Sequence, residues 1–344
     1  MERLVSNVRN VHISFFQFNH FIVVFLLIQL YGPLPVMAQG VVQTDGLGAP
    51  LKKFMTITTG TSWANLAPVG SKICQLVNLK SAEHNVYCSV RKSSGSDMNL
   101  ERILRNNVDF AIVGSDQAKR AIDGTFRPGV FGAFTKLRGV FSLFPEQFVA
   151  VANQTTDVNS FLDFKGKIID AGEEGSSTSA FFKKIIKAYG IQENQFQKVT
   201  HLQNKAMIDA FCSHKIDGFV ELSGSPSPKI LEVLKRCGGR FVLIDGGVIK
   251  FLADINPELV PSVIPAQRYP GINYEVPSIG TQAILITSED TDLAVTKAVV
   301  ESVATRLDQF QTASPVVSDI TLGKLLPRFD FMSVVPDAKK VLHD

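Results

Sequence analysis

Small hydroxyl residues and glycines cluster at four points of the chain: residues 59–62, 93–96, 114–116 and 175–178. Each cluster lies between an apolar run with the pattern of a strand and a segment with the spacing of a helix. In an open parallel sheet, ligands bind at the carboxyl ends of the strands, where helix N-termini offer unpaired N–H groups and a positive dipole end. The clusters therefore predict a site for a carboxylate or a similar anion.

The same residues have a simpler explanation, because Ser and Thr are common N-caps that contribute about 1 kcal/mol to their own helix. Recurrence at equivalent positions favours a shared site, although topology alone does not show that the clusters converge. The candidate ligand-binding residues lie in the clusters and in the segments just after them: Gly60, Thr61, Ser62, Asn65, Ser96, Asn99, Ser115, Asp116, Gly175, Ser176, Ser177 and Thr178.

Motifs for catalysis are missing from the sequence. It contains no H-E-x-x-H, G-x-S-x-G, P-loop or dinucleotide-binding pattern. An S-x-x-K match at residues 89–92 falls on a predicted strand, where Ser89 and Lys92 point to opposite faces. We therefore expect a binding protein without a cofactor or a metal, rather than an enzyme.

The elements around the clusters alternate between strands and helices, which predicts an α/β fold with a largely parallel sheet. The first unit pairs a strand at 54–58 with a helix from Leu66, and a long helix is predicted over 292–310. A strand is predicted at 147–152. The proline-rich segment 254–277 is interpreted as the loop between two lobes.

The N-terminus has the three parts of a secretory signal peptide. Two arginines precede an apolar run at 21–30, and Val36-Met37-Ala38 offers a cleavage site. A membrane span needs about 20 apolar residues, so cleavage after Ala38 is favoured over an uncleaved anchor. We expect residues 1–38 to be removed, 39–50 to form a flexible mature N-terminus, and the protein to be periplasmic. The net charge is +3 without a dense basic run, which argues against a nucleic-acid partner.

Four cysteines follow the signal peptide: Cys74, Cys88, Cys212 and Cys237. Three complete pairings are possible. The local pairing of Cys74 with Cys88 and of Cys212 with Cys237 needs only short loops, and four buried free thiols are the alternative. We predict the Cys74–Cys88 bond, because a helix and the next strand of one α/β unit lie side by side. No pair has the spacing of a metal site.

Five motifs occur in an order that resembles a known family. They are residues 59–70 (T-G-T-S-W-A-N-L through Gly70), 95–100 (G-S-D-M-N-L), 109–118 (D-F-A-I-V-G-S-D-Q-A), 163–178 (D-F-K-G-K, then G-E-E-G-S-S-T) and 264–269 (I-P-A-Q-R-Y). This set is similar to that of the TAXI family of TRAP-transporter solute receptors, over nearly the whole chain after the signal peptide.

The resemblance implies a two-lobed fold of the type II periplasmic-binding class, with a ligand cleft between the lobes. Lobe 1 is expected at 51–152 plus 277–344, and lobe 2 at 153–276, in a monomer. The implied function is capture of a small organic anion, a dicarboxylate or an acidic amino acid such as glutamate or 2-oxoglutarate. The implied partners are the membrane subunits of a TRAP-type carrier.

Two other classes of function stay open: the binding component of a sensor or of a different importer, and a hydrolase on the same fold. The hydrolase needs an activated nucleophile, which no motif supplies. The chain also departs from the family pattern. Trp63, Ala64 and Leu66 replace paired glycines and an aromatic residue, Ser177 replaces a glycine, and Asp337 stands in an element that has lost its histidine and glycine.

Overall fold

The structure, a computed structural model, describes residues 51–60 and 65–342. The predicted signal peptide, the segment 39–50, and the candidate residues Thr61 and Ser62 lie outside the described residues. The strands are β1 Lys53–Thr58, β2 Val86–Arg91, β3 Phe110–Gly114, β4 Leu137–Ala152, β5 Ile168–Asp170, β6 Lys198–Thr200, β7 Gly218–Ser223, β8 Arg240–Val242, β9 Val260–Ile264 and β10 Val276–Ser288.

The α-helices alternate with these strands through most of the described chain. They are α1 Leu66–Leu79, α2 Ser81–His84, α3 Ser96–Leu104, α4 Ser115–Ile122, α5 Ser177–Ala188, α6 Asn204–Cys212, α7 Pro228–Cys237, α8 Gly246–Ile255, α9 Leu293–Ala304, α10 Leu307–Gln311, α11 Leu322–Leu325 and α12 Pro336–Val341. Within the described residues, none combines the length and hydropathy that a membrane span requires.

All ten strands join one mixed sheet, in the order β2-β1-β3-β10-β4-β7-β5-β6, with β8 on β4 and β9 on β10. The triplets β2-β1-β3 and β7-β5-β6 are parallel. Between them, β10 and β4 run antiparallel to each other and to the neighbouring triplets. The expected largely parallel sheet is therefore found only within each half, because the two central strands cross between the halves in opposite directions.

The core divides along the length of β4. Its first part contributes Phe141 and Phe144 to a cluster with α1 and α9 on one face of the sheet. Helices α3 and α4 pack on the other face of this half of the sheet. The last part of β4 contributes Phe148 to a cluster with α5 and α8, and Val149 to one with α6 and α7. Each half of the sheet is thus covered by helices on both faces, which makes the fold α/β with two lobes.

Strand β4 is much longer than the strand predicted at 147–152. Pro145 interrupts its apolar pattern, and proline is disfavoured inside strands because it cannot donate to the ladder. Here Pro145 is exposed and lies opposite Gln282 of β10, whose backbone N–H donates to Ser115 Oγ at 3.0 Å. Strand β4 therefore continues past Pro145, because it pairs with β10 on both sides of the proline.

Two other predictions about elements are wrong in part. The helix predicted over 292–310 is broken at Thr305 and Arg306, and the break lets Phe310 pack in the core beside α1. The predicted loop 254–277 contains β9 and the start of β10, because Val260–Ile264 pairs with β10 and places Pro261 on an exposed position.

Two disulfides are present, Cys74–Cys88 and Cys212–Cys237. The first joins α1 to β2, and the second joins the ends of α6 and α7. This is the local pairing that the short loops favour.

Candidate ligand-binding cleft

A cleft of about 170 Å³ lies between the two lobes. Residues 65–66 at the start of α1 and residues 94–98 around the start of α3 line it on one side. The other lobe contributes residues 172–173 and 175–178 before and within α5, and residues 221–224 at the end of β7. The cleft thus lies at the carboxyl ends of strands and at the N-termini of helices, as in open α/β sheets generally.

Six of the predicted site residues line this cleft: Asn65, Ser96, Gly175, Ser176, Ser177 and Thr178. Thr61 and Ser62 lie outside the described residues. The other four, Gly60, Asn99, Ser115 and Asp116, are not among the lining residues.

The three hydroxyls at the start of α5 already have partners within the protein. Ser176 Oγ accepts the backbone N–H of Ser179 at 3.2 Å and so acts as the N-cap of α5. Ser177 Oγ accepts from Gln117 Nε2 at 3.0 Å, across the boundary between the lobes. Thr178 Oγ1 accepts the backbone N–H of Leu222 at 3.2 Å, which ties α5 to β7. Each hydroxyl still has its own proton to donate to a ligand.

Backbone geometry brings the turn before α5 close to its helix. Gly172 has φ +76°, and a Cβ there would lie 2.9 Å from Cβ of Thr178. A larger residue would therefore push the turn away from the N–H groups at the start of α5. These N–H groups and the dipole of a 12-residue helix form the positive side of the cleft.

Asn99 and Ser115 hold the fold together instead of facing the cleft. Asn99 accepts from Thr58 Oγ1 at 2.7 Å and donates to the carbonyl of Ile112 at 2.8 Å. Ser115 Oγ donates to the carbonyl of Glu258 at 2.7 Å. In this structure the hydroxyl of Ser115 joins α4 to the segment before β9, and its contact with a ligand stays a prediction.

Asn65 lines the cleft, and its side-chain atoms are engaged elsewhere. Its Nδ2 donates to the carbonyls of Gly224 at 3.0 Å and Pro226 at 3.2 Å. Its Oδ1 accepts from Ser314 Oγ at 3.1 Å. The side chain therefore fixes the start of α1 against the segment that follows β7.

Asp116 is 5% exposed, and its Oδ1 has no hydrogen-bond partner among the described residues. Burial raises the pKa of this carboxyl to about 6, and the charge of Lys184 opposes the rise. Asp116 is thus a buried carboxyl that does not line the cleft.

Five charged residues line the cleft without having been predicted: Asp97, Glu146, Glu173, Glu221 and Lys229. Glu221 is 4% exposed, and its Oε1 accepts from Ser227 Oγ at 2.9 Å and lies 3.6 Å from Lys229 Nζ. The sequence carried a signal for Glu146 and Glu221. Each interrupts an apolar run that reads as a buried strand, and a charge in such a run is rarely neutral to function.

Glu146 is 9% exposed and accepts one hydrogen bond, from Thr281 Oγ1 at 3.2 Å. Burial and, to a smaller extent, the negative charge of Asp116 together raise the pKa of this carboxyl to about 7. Arg91 and Lys92, at the end of β2, are exposed and do not line the cleft.

The sequence profile of the NMT1-like family matches residues 57–342. The chain belongs to the NMT1-like family. The match spans both lobes and all the described cleft residues. It does not identify a subtype, so the TAXI resemblance stays a prediction.

Several solved structures are similar to this NMT1-like chain. The periplasmic aliphatic sulphonate binding protein SsuA from Escherichia coli is 15% identical, with 76% of this chain and 78% of that chain covered and a TM-score of 0.48. A putative L-cystine ABC transporter from Listeria monocytogenes is 11% identical, with coverages of 78% and 97% and a TM-score of 0.46. An ancestral arginine-binding protein bound to arginine is 12% identical, with coverages of 76% and 96% and a TM-score of 0.45.

Acidic groups outnumber basic ones in the cleft of this NMT1-like protein. Among the described residues, Asp97, Glu146, Glu173 and Glu221 line it, and Lys229 is the one cation. Among residues 51–60 and 65–342, no group of three His, Cys, Asp or Glu side chains could hold a metal ion. The cleft therefore offers two kinds of contact: donors at the helix N-termini and carboxylate acceptors on the strands.

Proposed function

We propose that the protein is a periplasmic solute-binding receptor, which closes two lobes around a small solute and delivers it to an importer in the membrane. The observation that carries the proposal is the cleft itself, since both lobes line it with helix N-termini and buried polar side chains. A site that both lobes complete binds its ligand most tightly when they are closed.

The proposed lobes are residues 51–152 with 277–344 and residues 153–276. Strands β4 and β10 cross between the two lobes, and an irregularity in their pairing within lobe 1 supports a hinge there. Pairing of β4 with β10 is irregular between Ala283 and Ile284 and between Leu285 and Ile286, as at β-bulges, where strands bend. Export with cleavage after Ala38 belongs to the same proposal, because a periplasmic receptor must leave the cytoplasm. We propose that it acts there as a monomer.

A small organic anion is the proposed class of solute, and a TRAP-type carrier the proposed partner. The N-terminus of α5 and the cation Lys229 support an anionic group in the cleft. The order of the five sequence motifs supports the carrier type. Dicarboxylates and acidic amino acids are the first compounds to test.

Mass spectrometry of the solute released from gently purified protein tests the proposal directly. We expect one small compound in a ratio near one per chain. Titration calorimetry with that compound then measures its affinity. A purified, folded protein that releases no solute and binds none of a broad set of carboxylates, amino acids and sulfonates would contradict the receptor function.

Replacing Ser176 and Thr178 by alanine tests where the anion lies. If both hydroxyls donate to it, the double variant is expected to bind about tenfold more weakly, or worse, for each charge-assisted hydrogen bond lost. Thr321→Ala is the matched control, because Thr321 caps the N-terminus of α11 and does not line the cleft. Unchanged affinity in a folded double variant would remove α5 from the site.

A further inference from the structure

Glu146 is a carboxyl in the wall of the cleft, and no cation in the described part of the chain pairs with it. It is more than nine-tenths buried, and Thr281 supplies its one hydrogen bond within the described residues. The charged group that shifts its pKa is Asp116, which has the same sign. Taking a carboxylate out of water costs several kcal/mol unless an opposite charge and hydrogen bonds compensate.

The nearby cations are engaged with other carboxylates. Lys184 Nζ lies 3.5 Å from Glu258 Oε1, and Lys229 Nζ lies 3.6 Å from Glu221 Oε1. Residues 61–64 are Thr, Ser, Trp and Ala, so that segment has no cationic side chain to offer. Within the described residues, Glu146 forms no ion pair.

A second acceptor lines the same cleft. Glu221 uses Oε1 for Ser227 and Lys229, while its buried Oε2 has no hydrogen-bond partner among the described residues. Native proteins rarely leave buried polar atoms unpaired, and such an atom in a binding cleft marks a place where a ligand completes the bonding. Because Glu221 Oε2 is a carboxylate oxygen, the ligand must offer it a hydrogen-bond donor.

We propose that the solute carries a protonated amine or another cationic nitrogen, that Glu146 receives this group, and that Glu221 offers a further acceptor. This inference rests on the proposed receptor function and narrows its class of solute. With the N-terminus of α5 binding an anionic group, the cleft selects a zwitterion. Among the compounds considered, an acidic amino acid has both charged groups that the cleft would bind. A dicarboxylate without an amino group leaves Glu146 without a cationic partner.

A matched pair of probes separates the two cases. L-Glutamate and glutarate have the same two carboxylates and differ in the amino group. Titration calorimetry with these two, with 2-oxoglutarate and with the other standard amino acids is expected to find binding only among the compounds with an amino group. The solute released from the purified protein is expected to contain a basic nitrogen.

The variant Glu146→Gln keeps the size of the side chain and removes its charge. It is expected to weaken the binding of the best amino probe by about tenfold or more. Glu258→Gln is the control, because Glu258 is equally buried and does not line the cleft. It is expected to bind that probe within about threefold of the wild type, because the charge that it loses pairs with Lys184 and neither residue lines the cleft. Thermal unfolding verifies that Glu146→Gln and Glu258→Gln fold. If Glu146→Gln does not fold, Glu221→Gln replaces it as the test variant.

The outcomes separate this inference from the proposed function. If glutarate, 2-oxoglutarate or a released solute without a basic nitrogen binds as tightly as any amino compound, the inference is wrong and the receptor function stands. If amino compounds bind, and Glu146→Gln and Glu221→Gln bind them as well as the wild type does, the assignment of Glu146 and Glu221 is wrong. If nothing binds and nothing is released, the receptor function itself fails, and the inference fails with it.

Discussion

Glu146 shows how one buried residue links the cleft to the stability of the chain. Its pKa is raised to about 7, from a usual value near 4.5, chiefly by burial and then by the charge of Asp116. A carboxyl with a raised pKa in the folded state holds its proton more tightly there than in the unfolded chain. Its stabilising contribution is therefore present at low pH and is lost as the pH rises through about 7.

This sign gives a prediction for the ligand-free protein. Glu146→Gln removes the cost of ionising a buried group, so the variant is expected to gain thermal stability over the wild type at pH 8, by a few degrees. At pH 5, where the wild-type carboxyl is protonated, the difference is expected to shrink. Calorimetric melting temperatures at the two pH values measure it. An equal difference at both values would mean that Glu146 does not titrate in this range.

At the scale of elements, side chains and cross-links hold helices to strands around the cleft. Thr178 ties α5 to β7, and Asn65 ties the start of α1 to the segment after β7. The disulfide Cys212–Cys237 joins the ends of α6 and α7, which pack on the sheet face that carries Glu221. A cross-link stabilises chiefly by restricting the unfolded chain.

The disulfides give a prediction about stability. Replacing Cys212 and Cys237 by serine is expected to lower the free energy of unfolding by about 3 kcal/mol, and replacing Cys74 and Cys88 by slightly less, since the loop is shorter. Urea denaturation of the two double variants measures both losses. Thiol counting on unfolded, unreduced wild-type protein is expected to find none free. Four reactive thiols, with unchanged stability in the variants, would exclude the bonds.

At the scale of the whole molecule, the proposed closure of the lobes would be favoured by hydrogen bonds across the lobe boundary. Gln117 of α4 donates to Ser177 of α5, and Ser115 donates to the carbonyl of Glu258. These bonds join residues of different lobes, so opening the cleft must break them. A ligand that fills the cleft favours the closed form only by its extra affinity for that form.

Gln117→Ala is predicted to weaken binding without touching the solute, because Gln117 does not line the cleft. Loss of one neutral hydrogen bond of about 1 kcal/mol in the closed form corresponds to an affinity about fivefold lower. Calorimetry measures the affinity, and small-angle scattering is expected to show that ligand still reduces the radius of gyration. Wild-type affinity in this variant would mean that the bond to Ser177 does not contribute to closure.

Local sequence patterns determined the α/β alternation, the turn that begins α5 and six residues of the cleft lining, because strand and helix periodicity and N-cap chemistry are properties of neighbours along the chain. Tertiary structure alone decided the antiparallel central strands, since β4 and β10 lie more than a hundred residues apart and pair across Pro145. It also decided the charge of the cleft. Glu146 and Glu221 belong to adjacent strands, and their burial beside Asp116 and Lys229 depends on the packing of both lobes, which residue spacing does not encode.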